Sequence, residues 1–342
     1  MKTLLTLAAL ILIIGISGCT SDEPNYVNFK DEWKILAAST GSPASLALVS
    51  QPDGALTSAD IFSSANGTSL PGIVNKIVEF RENIYLMIPS AFQVVVIDKQ
   101  TFKQKAVLDF SAFQRVPTDV AFGNATTGYV AHENDTSVTV IDITNFSIGR
   151  SIKVGNHPVA IAAVGNQIFV ANQHDNSVSQ IDTRTNTVVA THQVAPAPTF
   201  IRPNANGHEV MVLSLGAGKI DSAAVKTPPV VTYIDSGRFV VEVTPIDDPL
   251  LDGTNALPTS LSVSPKEWAY ITMQKGVIRL DTKGRKDFIV VSEIEYKQSY
   301  YNFRRYEVLL LNGTNGIIID EISGIQKTTF TIPTEALTLI GL

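Results

Sequence analysis

The 342-residue chain has one cysteine, two tryptophans, five histidines and no excess of basic residues. A single Cys19 excludes an internal disulfide framework and any paired-cysteine redox or zinc motif. With 26 basic against 32 acidic residues the net charge is −6, so the surface offers no general means of neutralising phosphates, and nucleic acid is not an expected partner. No nucleophile elbow, no HExxH helix and no phosphate-cradling glycine loop occurs. The longest apolar stretch, Leu4 to Ile14, is shorter than the roughly 20 residues a membrane-spanning helix needs.

That stretch follows Met1-Lys2-Thr3, which carries a positive charge, and leads to Ile16-Ser17-Gly18-Cys19. Small residues before a cysteine at this distance resemble the lipobox of bacterial lipoproteins. The resemblance implies a signal peptide over 1–18, a lipidated tether over 19–32 with the lipid on Cys19, and a folded domain over 33–342. Removing 1–18 takes away one lysine, leaving 25 basic against 32 acidic residues and a charge of −7. The tether's Thr20-Ser21-Asp22-Glu23-Pro24 resembles the acidic export signal of surface lipoproteins of the Bacteroidetes. The expected location is therefore the outer membrane, exposed at the surface, with the periplasmic face as the alternative. With no disulfide available, stability must come from a packed core, which roughly 320 residues are ample to build.

The chain repeats itself. Gly128-Tyr-Val-Ala-His132, Ser137-Val-Thr-Val-Ile-Asp142 and Ser151-Ile-Lys-Val-Gly-Asn-His-Pro158 return 40 residues later as Ile168-Phe-Val-Ala-Asn172, Ser177-Val-Ser-Gln-Ile-Asp182 and Thr191-His-Gln-Val-Ala-Pro196. A period of this length marks a propeller or solenoid. Three β-branched runs per unit are cut by Asn, Asp, Gly or Pro, and a fourth run such as Val159 to Val164 precedes the next unit. Four short antiparallel strands make a propeller blade.

Strands ending in an apolar-Asp pair stop at Asp98, Asp142, Asp182, Asp235, Asp281 and Asp320, and a degenerate first copy ends at Ser50. The six intervals from 50 to 320 average 45 residues, so seven blades are expected. The unit beginning near Trp33 has three strands and the terminal run Leu337 to Leu342 is left over. The fold is thus read as all-β, a single seven-bladed propeller of four-stranded blades whose ring is closed by the C-terminal strand completing the N-terminal blade. The recurring aspartates read as turn acceptors, because a group present once per blade serves the blade.

Tyr-Val-Ala-His and Phe-Val-Ala-Asn, each followed by Val-x-x-Ile-Asp and then by Val-Gly-x-x-Pro in the first copy and Val-Ala-x-x-Pro in the second, resemble the YVTN repeat of YncE-like propellers over about residues 84 to 200. Phe62 to Gly67, Asn83 to Leu86 and Val95 to Phe102 resemble propeller lipoproteins of the Bacteroidetes. The wider group includes surface proteins that capture cobalamin or iron-siderophore complexes beside an outer-membrane transporter. The resemblance implies a non-catalytic protein that binds a small nutrient, cofactor or metal chelate on a loop face and hands it to such a transporter. An envelope scaffold for proteins or glycans is the alternative, and a propeller hydrolase or lactonase the remaining one. Trp33 and Trp268 are too few for the tryptophan docking motif that quinone-cofactor propellers carry in every blade.

Loops between strands two and three, and from strand four to the next blade, share one face of a propeller. That face is expected to carry the ligand site, built from Phe92, Arg115, His132, Glu133, His157, His174 and Arg202, with insertions at 215–229 and 246–260 enlarging it. An aromatic platform, two fixed cations and three imidazoles suit a large anionic or chelate ligand. The three histidines read as solvated turn residues and Asp247, Asp248 and Asp252 as turn formers, so neither a metal nor a cofactor is expected. His192 is assigned to an outer strand, and Asn206 and His208 to the opposite face. Asp221-Ser222-Ala223 resembles a Bacteroidetes O-glycosylation signal.

Overall fold

The computed structural model describes residues 32–342, except 222–224, 238–239, 249–250, 267 and 286–287. The expected signal peptide, Cys19, the expected tether up to residue 31 and the Ser222-Ala223 pair lie outside the described residues. Seven four-stranded antiparallel sheets form the blades of a propeller. In six of them the strands run in chain order from the central channel outward, starting with the inner strands Lys76–Phe80, Pro117–Phe122, Pro158–Val164, Pro198–Pro203, Pro258–Val263 and Gln298–Asn302. These are blades 2 to 7.

Blade 1 is assembled from both ends of the domain. Trp33–Ser39, Leu46–Gln51 and Leu56–Ser58 supply three strands, and Ala336–Gly341 becomes the fourth and innermost. Ile35 pairs with Gly341, Leu36 with Ile340 and Ala37 with Leu339, and Lys34 and Leu342 exchange backbone bonds of 3.3 and 2.8 Å. Closure of this kind leaves no inner strand at a free end of the ring.

Second strands such as Ile84-Tyr-Leu-Met-Ile88 are buried at every position. Their side chains alternate between two neighbours: Ile84, Leu86 and Ile88 pack against blade 1, while Tyr85 and Met87 pack against blade 3. A strand with both faces covered has no need of polar alternation. Seven apolar clusters result, one in each gap between neighbouring blades. The turn aspartates behave as acceptors: Asp98 Oδ1 takes the N–H groups of Gln100 and Thr101 at 3.0 and 2.9 Å, and Asp320 Oδ1 those of Ile322 and Ser323 at 3.0 and 2.9 Å.

The two faces of the ring differ. The upper face carries the loops from strand two to three and from blade to blade, including both insertions. The lower face carries the turns from strand one to two and from three to four. The insertions hold each other, with Lys219 Nζ on the Ala256 carbonyl at 2.9 Å and Lys226 Nζ on Asn255 Oδ1 at 3.2 Å. The second also sends Leu251 and Ala256 into the core between blades 5 and 6, so part of it is packing rather than open loop. Among the described residues no helix is long and apolar enough to cross a membrane.

Candidate functional site

The residues expected to form one upper-face site are only partly brought together. His157 and His174 meet, their rings parallel and 4.0 Å apart, and the Glu133 charge acts on His157. Burial lowers the His157 imidazole below its ordinary range, and the neighbouring His174 adds to this. Phe92 ends a short 3₁₀ turn in the left-handed region, φ 57°, with its ring packed toward the cluster between blades 2 and 3.

Arg115 is engaged within its own blade: Nε pairs with Asp135 Oδ2 at 2.6 Å, and one terminal nitrogen donates to Ser151 Oγ at 2.6 Å. His132, expected in a loop, ends a second strand and is wholly buried, with Nε2 2.9 Å from Thr139 Oγ1 and Phe110 edge-on to its ring. Burial, with the Arg115 charge second, pushes its imidazole down to about 3. A neutral, enclosed His132 is a core residue rather than a surface ligand. Among the described residues no group of three or more His, Cys, Asp or Glu side chains could hold a metal ion.

The largest correction concerns Arg202. It lies within the inner strand Pro198–Pro203 of blade 5, near its lower end, and lines the channel instead of the upper loops. The channel holds a cavity of about 910 Å³, a size typical of small-molecule sites. Every turn residue lining it belongs to the lower face, among them Arg81, Asn204, Pro265, Phe303 and Arg304. The cavity thus opens on the face opposite to that expected, and the Asn206 and His208 turn lies on the cavity's side.

Inner strands are the edges of their sheets, so their unpaired backbone groups and alternate side chains meet at the channel. Register sets Lys76, Asp119, Ala160 and Ser260 at one level, opposite Met87, Ala131, Ala171 and Thr272. Lys76 Nζ ion-pairs with Asp119 Oδ2, whose carboxylate is almost fully buried and also accepts the N–H groups of Val120 at 2.8 Å and Ile161 at 3.3 Å. One carboxylate thereby ties the inner edges of blades 2, 3 and 4. Burial pushes the Lys76 ammonium down to about 8; Asp119 opposes this and the charge of Arg202 assists it.

Nearer the mouth, Glu79 receives Arg304 and Lys99, the latter at 3.0 Å. Burial acts to raise the Glu79 carboxyl, but these two donors outweigh it and hold it low. Phe80 and Phe122 stack at 4.0 Å with an interplanar angle of 12°, and Tyr300 lies in the same wall. Arg202 itself donates to the carbonyl of Ile201 at 2.8 Å and has no carboxylate partner among the described residues. Lys76 and Asp119 escaped a reading based on loops, and Arg202 was named by it but placed on the opposite face. Their signal was charge inside first strands, where sister blades carry Ala160, Ala162, Ser260 and Ser262.

Two solved structures of AztD from Citrobacter koseri have the same architecture. The one described as apo AztD superposes with a TM-score of 0.56, and a second with 0.58; each is 10% identical over 91% of this chain and 98% of its own. Such identity speaks to the fold alone. No curated protein matches the chain. A family model described as "Domain of unknown function (DUF5074)" matches residues 41–224, more than half of the sequence, and the chain belongs to that family.

Proposed function

We propose that this chain is a non-catalytic, lipid-anchored envelope protein that binds a small anionic ligand with a planar apolar part in its channel, entering from the lower face, and passes it to an outer-membrane transporter. Arg202 carries this reading: a guanidinium beside a cavity of about 910 Å³, bonded among the described residues only to the neighbouring Ile201 carbonyl, is a fixed donor set for a carboxylate or phosphate. The stacked Phe80 and Phe122 supply an apolar wall for the rest of the ligand. Binding without turnover is favoured because the buried Asp119 and the partly buried Glu79 carboxylates are tied to cations, and the cavity lining includes no histidine or cysteine among the described residues.

Calorimetric titration with aromatic anions, such as 2,3-dihydroxybenzoate, naphthalene dicarboxylate and flavin mononucleotide, tests the site. A hydrogen bond to a charged group contributes about 1.5–3 kcal/mol, so Arg202→Ala is expected to weaken a bound anion roughly ten- to hundredfold. Arg115→Ala on the upper face should leave affinity unchanged. A probe that binds both variants as tightly as the wild type, or loses affinity only in Arg115→Ala, would remove the channel from consideration.

A further inference from the structure

We infer that the lower-face turns of blade 7 are a docking surface for an anionic phospholipid bilayer, so that the cavity mouth faces the membrane. The turns are residues 303–306 and 321–325, and they expose Phe303 (54%), Tyr306 (49%), Ile322 (56%) and Ile325 (68%). No other lower-face turn presents a large exposed apolar side chain among the described residues.

This exposure does not come from a loosely held loop. Glu321, buried, accepts Ser264 Oγ at 2.5 Å and the Tyr301 hydroxyl at 2.7 Å, and its carbonyl takes the Tyr270 hydroxyl at 2.5 Å. Arg279 donates to the Ile322 carbonyl. Lys266 joins the two turns, 3.0 Å from Glu321 Oε1 and 4.6 Å over the ring of Tyr306. The backbone is fixed, and the isoleucines stand outward from it.

The ion pairs around the patch are lopsided. Lys266 is 48% exposed while its partner Glu321 is 1% exposed, and Lys327 against Glu307 and Arg304 against Glu79 show the same order. Formally neutral pairs therefore present their cationic ends to solvent. Apolar tips ringed by exposed lysine and arginine match the boundary between phosphate headgroups and acyl chains.

The path of the chain selects the occupant. Trp33, the first residue of its strand, starts at this same face, and Arg305 lies 5.7 Å over its ring. From there 13 residues, 20–32, separate the domain from Cys19, a contour of at most about 50 Å. The inference rests on the lipid-anchor part of the proposed function, and the bilayer it names is the one that anchor enters.

The test uses the full lipidated chain carrying Ile325→Cys or, on the upper face, Val225→Cys, each labelled with bimane. Lipidation blocks Cys19, so the new thiol is unique. In vesicles of phosphatidylethanolamine and phosphatidylglycerol with doxyl-labelled lipid, the label at 325 should enter roughly 5–10 Å, lose most of its fluorescence and shift to the blue. The label at 225 should keep its fluorescence. Adding Phe303→Ser and Ile322→Ser should abolish quenching at 325 while the protein still sediments with the vesicles. Equal quenching at both positions, none at either, or quenching that survives the serine substitutions overturns the docking surface. Contact of 325 with native membranes but not with protein-free vesicles overturns the lipid in favour of a membrane protein. Sedimentation of the unlabelled wild type judges the anchor separately.

Discussion

Deleting Ala336–Leu342 is expected to open the ring rather than fray one end of it. Leu339 and Ile340 are buried to within 4 and 2% exposure, and each contributes about 1.5–3 kcal/mol by leaving water. The five paired positions with Trp33–Ser39 and the two bonds between Lys34 and Leu342 contribute roughly 0.5–1.5 kcal/mol apiece. The deletion also strips one side from Leu36 and Ile35, which lie in the clusters shared with blades 2 and 7. The loss is on the order of 10 kcal/mol, comparable with the whole stability of a typical domain. Calorimetry should show no cooperative transition in the truncated chain, and limited proteolysis should cut its blades. Because a chain that fails to fold says little about where the loss arises, Ile340→Ala provides a graded version, costing about 2–5 kcal/mol and lowering Tm by roughly 5–10 °C. A truncated protein melting within about a degree of the wild type would refute the closure argument.

Two further outcomes are expected. His132 titrates near 3 in the folded protein but at its ordinary value when unfolded, so the unfolded chain binds the proton first as pH falls. Its contribution is complete above about 6.5 and is lost on acidification toward 3, on the order of 4 kcal/mol in all; His132→Gln should flatten that part of the urea-unfolding pH profile, and an unchanged acid limb would contradict the assignment. Cys19→Ala should release the protein from the membrane fraction with an unchanged melting temperature, since the strands that close the ring begin at Trp33; a wild-type protein found soluble would remove the anchor.

Blade number, strand order and the role of the turn aspartates were legible in the sequence because they are local. A strand pairs with the next one along the chain, the turn between them falls within a few residues, and seven copies of the pattern reinforce one another. Closure was legible as well, since three strands at one end and one at the other admit few other arrangements. The channel was not. Its wall is seven inner strands that begin 38 to 60 residues apart, and pairs such as Lys76 with Asp119, 43 residues apart, or Arg304 with Glu79, 225 apart, join residues well separated along the chain.

The expectation of an upper-face site followed the long loops, which are visible in sequence, whereas part of the second insertion turns inward to fill the core between blades 5 and 6. His132 and His157 occupy different places in the repeat, yet both read from sequence as turn residues of one face. One is enclosed by Phe110 and Thr139, and the other stacks on His174 at the surface, because burial depends on what the neighbouring blade places opposite. Repetition along the chain specifies a propeller; where its cavity opens, and which charges remain available inside it, arises only when side chains from separate blades converge and compete for the same partners.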